Sequence, residues 1–259
     1  MQHLKSIKGI LFDLDGVLYI NKTPIAGAIE AVEKIRSHGY RCRFITNTST
    51  LSTTSIRDKI NAMGFNVVQS EIMSAPQAAV NFLEKQADPV CRLLLADDVK
   101  KDFSQFPQSE TAANFIVIGD IGNRWSYDLL NEVFSCLMNG AKLIAIHKNR
   151  FWQTASGLHM DIGAFIAGLE YASNTEAMII GKPSPAFFKA ALSDMQLNQN
   201  EVLMVGDDID SDIGGALQSN ISGVLVRTGK YRKAYAEVSS VKPYLTIESI
   251  ADLPKLLVQ

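Results

Sequence analysis

The chain has 259 residues, 47% hydrophobic and 20% charged, enough to bury a sizeable core and to build two domains. Its 25 lysines and arginines against 27 aspartates and glutamates leave a net charge of −2, which gives no basis for a nucleic-acid or membrane partner. Three widely spaced cysteines, Cys42, Cys91 and Cys136, form no C-x-x-C pair, so neither a disulfide framework nor a cysteine zinc site is expected. In chain order, the opening "MQHLKSIKGILFD" is cut by Asp13 before it could serve as a signal peptide. Nowhere does an uncharged apolar run approach the roughly 18 residues of a membrane helix. A cytoplasmic location is therefore expected.

Short apolar runs then alternate with amphipathic stretches, the pattern of an α/β fold with a parallel sheet and helices on both faces. Strands are expected at "GILF" (9–12), "RCRFIT" (41–46), "CRLLLA" (91–96), "NFIVIG" (114–119), "KLIAIH" (142–147), "AMIIG" (177–181), "EVLMVG" (201–206) and "GVLVRT" (223–228). Between them, "AIEAVEKIRSHG" (28–39) carries Ile29, Val32 and Ile35 at helical spacing and ends on Gly39. In "SYDLLNEVFSCLMNG" (126–140), Leu129, Leu130, Val133, Phe134 and Leu137 make one apolar stripe, again closed by a glycine.

Reactive side chains fall where these strands end. Asp13 and Asp15 follow the first strand, Thr46 and Asn47 the second, Lys182 follows "AMIIG", and Asp207, Asp208 and Asp212 follow "EVLMV". In open parallel sheets, ligands bind outside the carboxyl ends of the strands. Singly, each residue is ordinary: an acidic pair can cap a helix, a lysine before Pro183 can sit on the surface, and Thr46 opens a Ser/Thr-rich stretch full of capping hydroxyls. The ordered set of four is specific.

That set resembles the haloacid dehalogenase-like hydrolase superfamily, with "DLDGV", "ITN", Lys182 of "GKPSP" and "GDDIDSD" matching its four motifs between residue 9 and about residue 230. The resemblance implies Asp13 as nucleophile and Asp15 as acid/base. It also implies Asp13, the Asp15 main-chain carbonyl and Asp207 as ligands of Mg²⁺, with Asp208 and Asp212 in support. The residue chemistry agrees. Alternate side chains of an extended segment share a face, so Asp13 and Asp15 can address one ligand. One carboxylate can attack phosphorus while the other protonates the leaving oxygen. Carboxylates so close repel at neutral pH unless a hard cation such as Mg²⁺ joins them. Lys182 suits a phosphoryl group and the nucleophile's carboxylate, and Thr46 and Asn47 can hydrogen-bond phosphate oxygens.

The long interval 47–181 exceeds what one crossover needs and holds strands and helices of its own. The expected division is a discontinuous Rossmann-like core (1–78 and 178–259) and an inserted α/β domain (79–177). The latter resembles the C2-type cap of NagD-type phosphatases, which further implies a homodimer formed through the cap. Within it, "HKNRFWQTASGLHMDIGAF" (147–165) gathers His147, Lys148, Arg150, Trp152, His159 and Asp161 in what reads as a loop. His147 and His159 lack the spacing of a helical zinc pair.

The functional expectation is a Mg²⁺-dependent phosphatase acting on a small phosphorylated substrate through an aspartyl-phosphate. Alternatives on the same fold are a phosphotransferase or phosphomutase, or a catalytically weak phosphate-binding regulatory protein. Attack on carbon, as in a dehalogenase, has no use for Asp15. A receiver-like signalling module is about half this length and lacks the D-x-D pair.

Overall fold

A computed structural model describes residues 2–154 and 157–257. The chain divides into two compact units, one of residues 1–46, 57–73 and 182–259, the other of residues 47–56 and 74–181.

The first unit is built on a six-stranded sheet in the order Leu245–Ile247, Ser222–Val226, Val202–Gly206, Gly9–Phe12, Arg41–Thr46, Ile72–Ser74. Gly9–Phe12 runs parallel to both of its neighbours, with Gly9 opposite Val202 on one side and Arg41 on the other. Gly9–Phe12 and Val202–Gly206 are buried at every position. Their sequences are accordingly unbroken apolar runs rather than alternating ones, because helices cover both faces of such a sheet. Phe12 stacks on Phe44 of the adjacent strand at 5.7 Å between ring centroids. The helix Ala28–Ser37 buries Ala28, Ala31, Val32 and Ile35, one stripe at i, i+3, i+4, i+7.

The second unit has its own four-stranded parallel sheet, in the order Met178–Ile179, Lys142–Ala145, Phe115–Ile118, Cys91–Leu94. Its apolar cluster joins Ile116 and Ile118 to Val133 and Leu137 of the helix Tyr127–Met138, and to Ile166 and Leu169 of the helix Gly163–Ser173. Ser126 starts the first of these helices by accepting the Leu129 amide at 3.1 Å.

Two readings of the sequence change. The stretch after His147 is not an open loop, since Phe151–Thr154 and Gly157–Met160 pair as an antiparallel hairpin; the Trp152 side chain lies outside the described ones. The strand before Lys182 pairs with Lys142–Ala145 in the smaller sheet, so Lys182 does not extend a strand of the six-stranded sheet. All three cysteines are buried and free. Among the described residues, no helix is long and apolar enough to cross a membrane.

Candidate active site

Gly9–Phe12 and Val202–Gly206 end side by side, so the residues that follow them, Asp13 and Asp207, emerge together. The Asp13 amide still bonds Val205 O at 2.9 Å, which carries the sheet ladder to the edge of the site. Lys182 enters just before the helix Pro185–Met195. Its Nζ lies 2.5 Å from Asp13 Oδ1 and 2.7 Å from Asp212 Oδ1. All four side chains are buried.

The loop after Asp207 is locally self-supporting. Asp208 Oδ1 accepts the amides of Asp210 and Ser211, each at 3.0 Å, and so caps the helical turn Ile209–Gly214. That turn places Asp212, whose Oδ2 accepts the Asp208 amide at 3.1 Å while Oδ1 faces Lys182. Asp208 thus shapes the loop, and its other oxygen lies 3.8 Å from Lys230 Nζ. Asp15 is half-buried and its Oδ2 accepts the Tyr19 hydroxyl at 3.3 Å. Thr46 is buried at the end of its strand, and Asn47 belongs to the second unit.

Three contributors escaped the sequence reading. Tyr19 holds Asp15, the Thr228 hydroxyl donates to Gly16 O, and the Lys230 amide donates to Asp207 Oδ2 at 2.6 Å. The only signal for the last two was "RTGK" at the end of a strand, a glycine turn at the sheet's functional edge.

The electrostatics follow from burial. Desolvation raises the Asp207 pKa well above the usual carboxylate value, and Asp13 and Asp212 push it the same way. Asp212 is pushed up to about 6 by burial, against the pull of Lys182. Burial opposes the Lys182 ammonium, but Asp13 and Asp212 outweigh it and hold its pKa above the ordinary value. Among the described residues Lys182 pairs with Asp13 and Asp212, and Lys230 with Asp208, which leaves Asp207 with no ion pair of its own, and isolated buried charge is costly.

A metal fits that deficit. Asp13, Asp207 and Asp212 each offer an oxygen, and these atoms lie within 4.8 Å of one another. Asp207 Oδ1 is buried without a hydrogen-bond partner. An all-oxygen anionic donor set with an orphaned oxygen suits a hard divalent cation. The Asp15 carboxylate is not one of the three, and its Oδ2 accepts the Tyr19 hydroxyl.

Comparison with known proteins identifies the family of the chain. The haloacid dehalogenase-like hydrolase model matches residues 10–106, and a HAD-hydrolase-like model matches residues 179–253. Haloacid dehalogenase-like hydrolase domain-containing protein 2 of Bos taurus is 38% identical over 246 residues, covering 95% of this chain and 93% of that protein. The phospholysine phosphohistidine inorganic pyrophosphate phosphatase of Bos taurus is 36% identical over 264 residues, covering 100% of this chain and 97% of the relative. In fold, the crystal structure of 4-nitrophenylphosphatase from Thermotoga maritima matches with a TM-score of 0.91 at 24% identity, over 98% of this chain and 99% of that one. With the acids and the lysine in motif order and gathered at the sheet edge, the chain belongs to the haloacid dehalogenase-like hydrolases.

Proposed function

We propose that this hydrolase is a phosphatase that moves the phosphoryl group of a small phosphorylated molecule to water by way of Asp13. The observation that carries the reading is the buried Asp13–Lys182–Asp212 array beside an Asp207 with one unpartnered oxygen. A similar protein, of 36% identity, is named a phosphatase.

In this reading the Asp13 carboxylate attacks phosphorus and the bond to the leaving oxygen breaks. The Asp15 carboxyl gives its proton to that oxygen. Water then attacks the aspartyl-phosphate, Asp15 takes up the water's proton, and phosphate departs with Asp13 restored. Lys182 keeps the Asp13 carboxylate and the phosphoryl oxygens neutralised, and Asp212 holds Lys182 in place. Thr46 and Asn47 are the candidate hydrogen-bond donors to the phosphoryl oxygens. Mg²⁺ held by Asp13, Asp207 and the Asp15 main-chain carbonyl would supply positive charge at the phosphoryl oxygens. Residues 74–181 contain the segment that the family resemblance makes a C2-type cap, the expected source of substrate selectivity and of a homodimer contact.

The test uses 4-nitrophenyl phosphate with Mg²⁺ or with EDTA. Wild-type protein should turn over only with the metal, and Asp13→Asn should lose essentially all turnover while keeping its circular dichroism. Near-normal turnover in Asp13→Asn rejects the nucleophile.

A further inference from the structure

Tyr19 sits in the short stretch that leads away from the D-x-D pair, and its side chain is 1% exposed. A residue so buried would ordinarily be credited with filling the core. Three observations say more. Its hydroxyl donates to Asp15 Oδ2 at 3.3 Å. The turn between them is closed by the backbone, with the Gly16 amide on Tyr19 O at 2.7 Å and a bridge between Asp15 and Tyr19. On the ring's face lies Lys59 Nζ, 4.2 Å from the centroid, carried by the helix Thr53–Ala62.

A cation on the face of a phenol draws density from the ring and makes the hydroxyl a better donor. The ring, packed on every side, cannot swing away from the carboxylate. The hydrogen bond therefore fixes an acid that is only half-buried on a turn. We infer that Tyr19 is a positioning residue, whose hydroxyl occupies Asp15 Oδ2 and so presents Oδ1 to the departing oxygen. The inference rests on Asp15 acting as the general acid. The proton passes from the Asp15 carboxyl to the leaving oxygen as the phosphorus–oxygen bond breaks, and Tyr19 exchanges no proton.

Reactive groups held within about 0.5 Å of the productive geometry depend on such second contacts, and losing one costs rate rather than fold. The loss should be selective. A nitrophenolate leaves without help, whereas a methoxyphenolate needs the proton.

Tyr19→Phe keeps the ring, its burial and the Lys59 contact and removes one hydroxyl. It should be assayed with Mg²⁺ on 4-nitrophenyl, phenyl and 4-methoxyphenyl phosphate, beside wild type, Asp15→Asn and the double variant. On 4-methoxyphenyl phosphate, kcat/KM of Tyr19→Phe, which covers the steps through departure of the leaving group and not the shared hydrolysis of the aspartyl-phosphate, should fall about tenfold, and on 4-nitrophenyl phosphate it should stay within about twofold, the cost of one charged hydrogen bond felt only where the proton matters. In the double variant, Tyr19→Phe should add nothing to the loss already caused by Asp15→Asn.

Equal loss on all three esters, or an additive loss in the double variant, would make Tyr19 a core residue only and overturn the inference. An Asp15→Asn variant whose kcat/KM fell equally on all three would remove the acid, and the inference with it. A leaving-group split in Asp15→Asn without one in Tyr19→Phe sinks the inference alone and leaves the phosphatase reading standing.

Discussion

Asp207 Oδ2 is wedged between two glycines, and that wedge explains both of them. A Cβ on Gly16 or on Gly229 would lie 2.0 Å from this oxygen, and one on Gly229 would also lie 2.5 Å from Gly16 Cα. Both glycines have positive φ, +88° and +61°. The Lys230 amide fixes Oδ2 from the same turn, so the carboxylate cannot retreat without breaking a 2.6 Å bond. Gly229→Ala combines left-handed strain with a backbone clash and should cost about 1–3 kcal/mol in urea unfolding. It should also raise the Mg²⁺ concentration needed for half-maximal turnover of 4-nitrophenyl phosphate, because the displaced carboxylate is a proposed ligand. An unchanged Mg²⁺ requirement would show that the turn does not set Asp207. At this scale the sequence was legible in where the motif side chains meet. Asp13, Lys182, Asp207 and Asp212 were named from their motifs and meet in one cluster. Tyr19 was not, since nothing in "DGVLY" separates a core tyrosine from one bonded to Asp15. Lys230 was missed because it acts through its amide, which any residue but proline supplies.

Elements were legible in proportion to their burial. Phe115–Ile118, Gly9–Phe12 and Val202–Gly206 are buried at every position and read as strands from apolar runs alone. The edge strands Ile72–Ser74 and Leu245–Ile247 were not foreseen, each being three residues long and too short for a periodic signal. The pairing of Met178–Ile179 was equally hidden, because a buried run names no partner strand. Helix C-terminal ends were clearer, at the positive-φ glycines Gly39 and Gly140, whereas the N-terminal cap Ser126 was not singled out. Ser126 precedes the apolar stripe and its hydroxyl accepts the Leu129 amide, as an N-cap residue should. Ser126→Ala leaves that amide without its partner and should cost about 1 kcal/mol of stability. Ser126 lies outside the cluster of acids and Lys182, so kcat of the folded variant on 4-nitrophenyl phosphate should not change. A urea midpoint equal to that of wild type would show that the cap contributes nothing.

Across the whole molecule, one concentration of buried acid couples stability to pH and to metal with opposite signs. Asp212 titrates from 3.8 in the unfolded chain to about 6 when folded, and Asp207 is raised as well. The folded state therefore holds more protons through this range. The stability that Asp212 contributes is complete below about pH 4 and is lost as the pH rises through about 6, and the contribution of Asp207, raised by burial and by Asp13 and Asp212, is lost in the same direction as the pH rises. A divalent cation needs the ionised carboxylates, so its stabilisation should grow over the same window. In EDTA the contribution of Asp212 to the thermal midpoint should fall from about pH 4 to 6.5, whereas the upward shift given by Mg²⁺ should be slight near pH 4.5 and larger near pH 7. At a Mg²⁺ concentration 100 times its dissociation constant the full gain is about 2.7 kcal/mol. Asp207→Asn removes one of the mutually repelling charges while keeping the shape. It should weaken the pH dependence in EDTA, raise metal-free stability near pH 7 and abolish the Mg²⁺ shift, all by calorimetry. A Mg²⁺ shift of equal size at both pH values, or one that survives Asp207→Asn, would place the cation elsewhere and leave the buried carboxylates without their counter-charge.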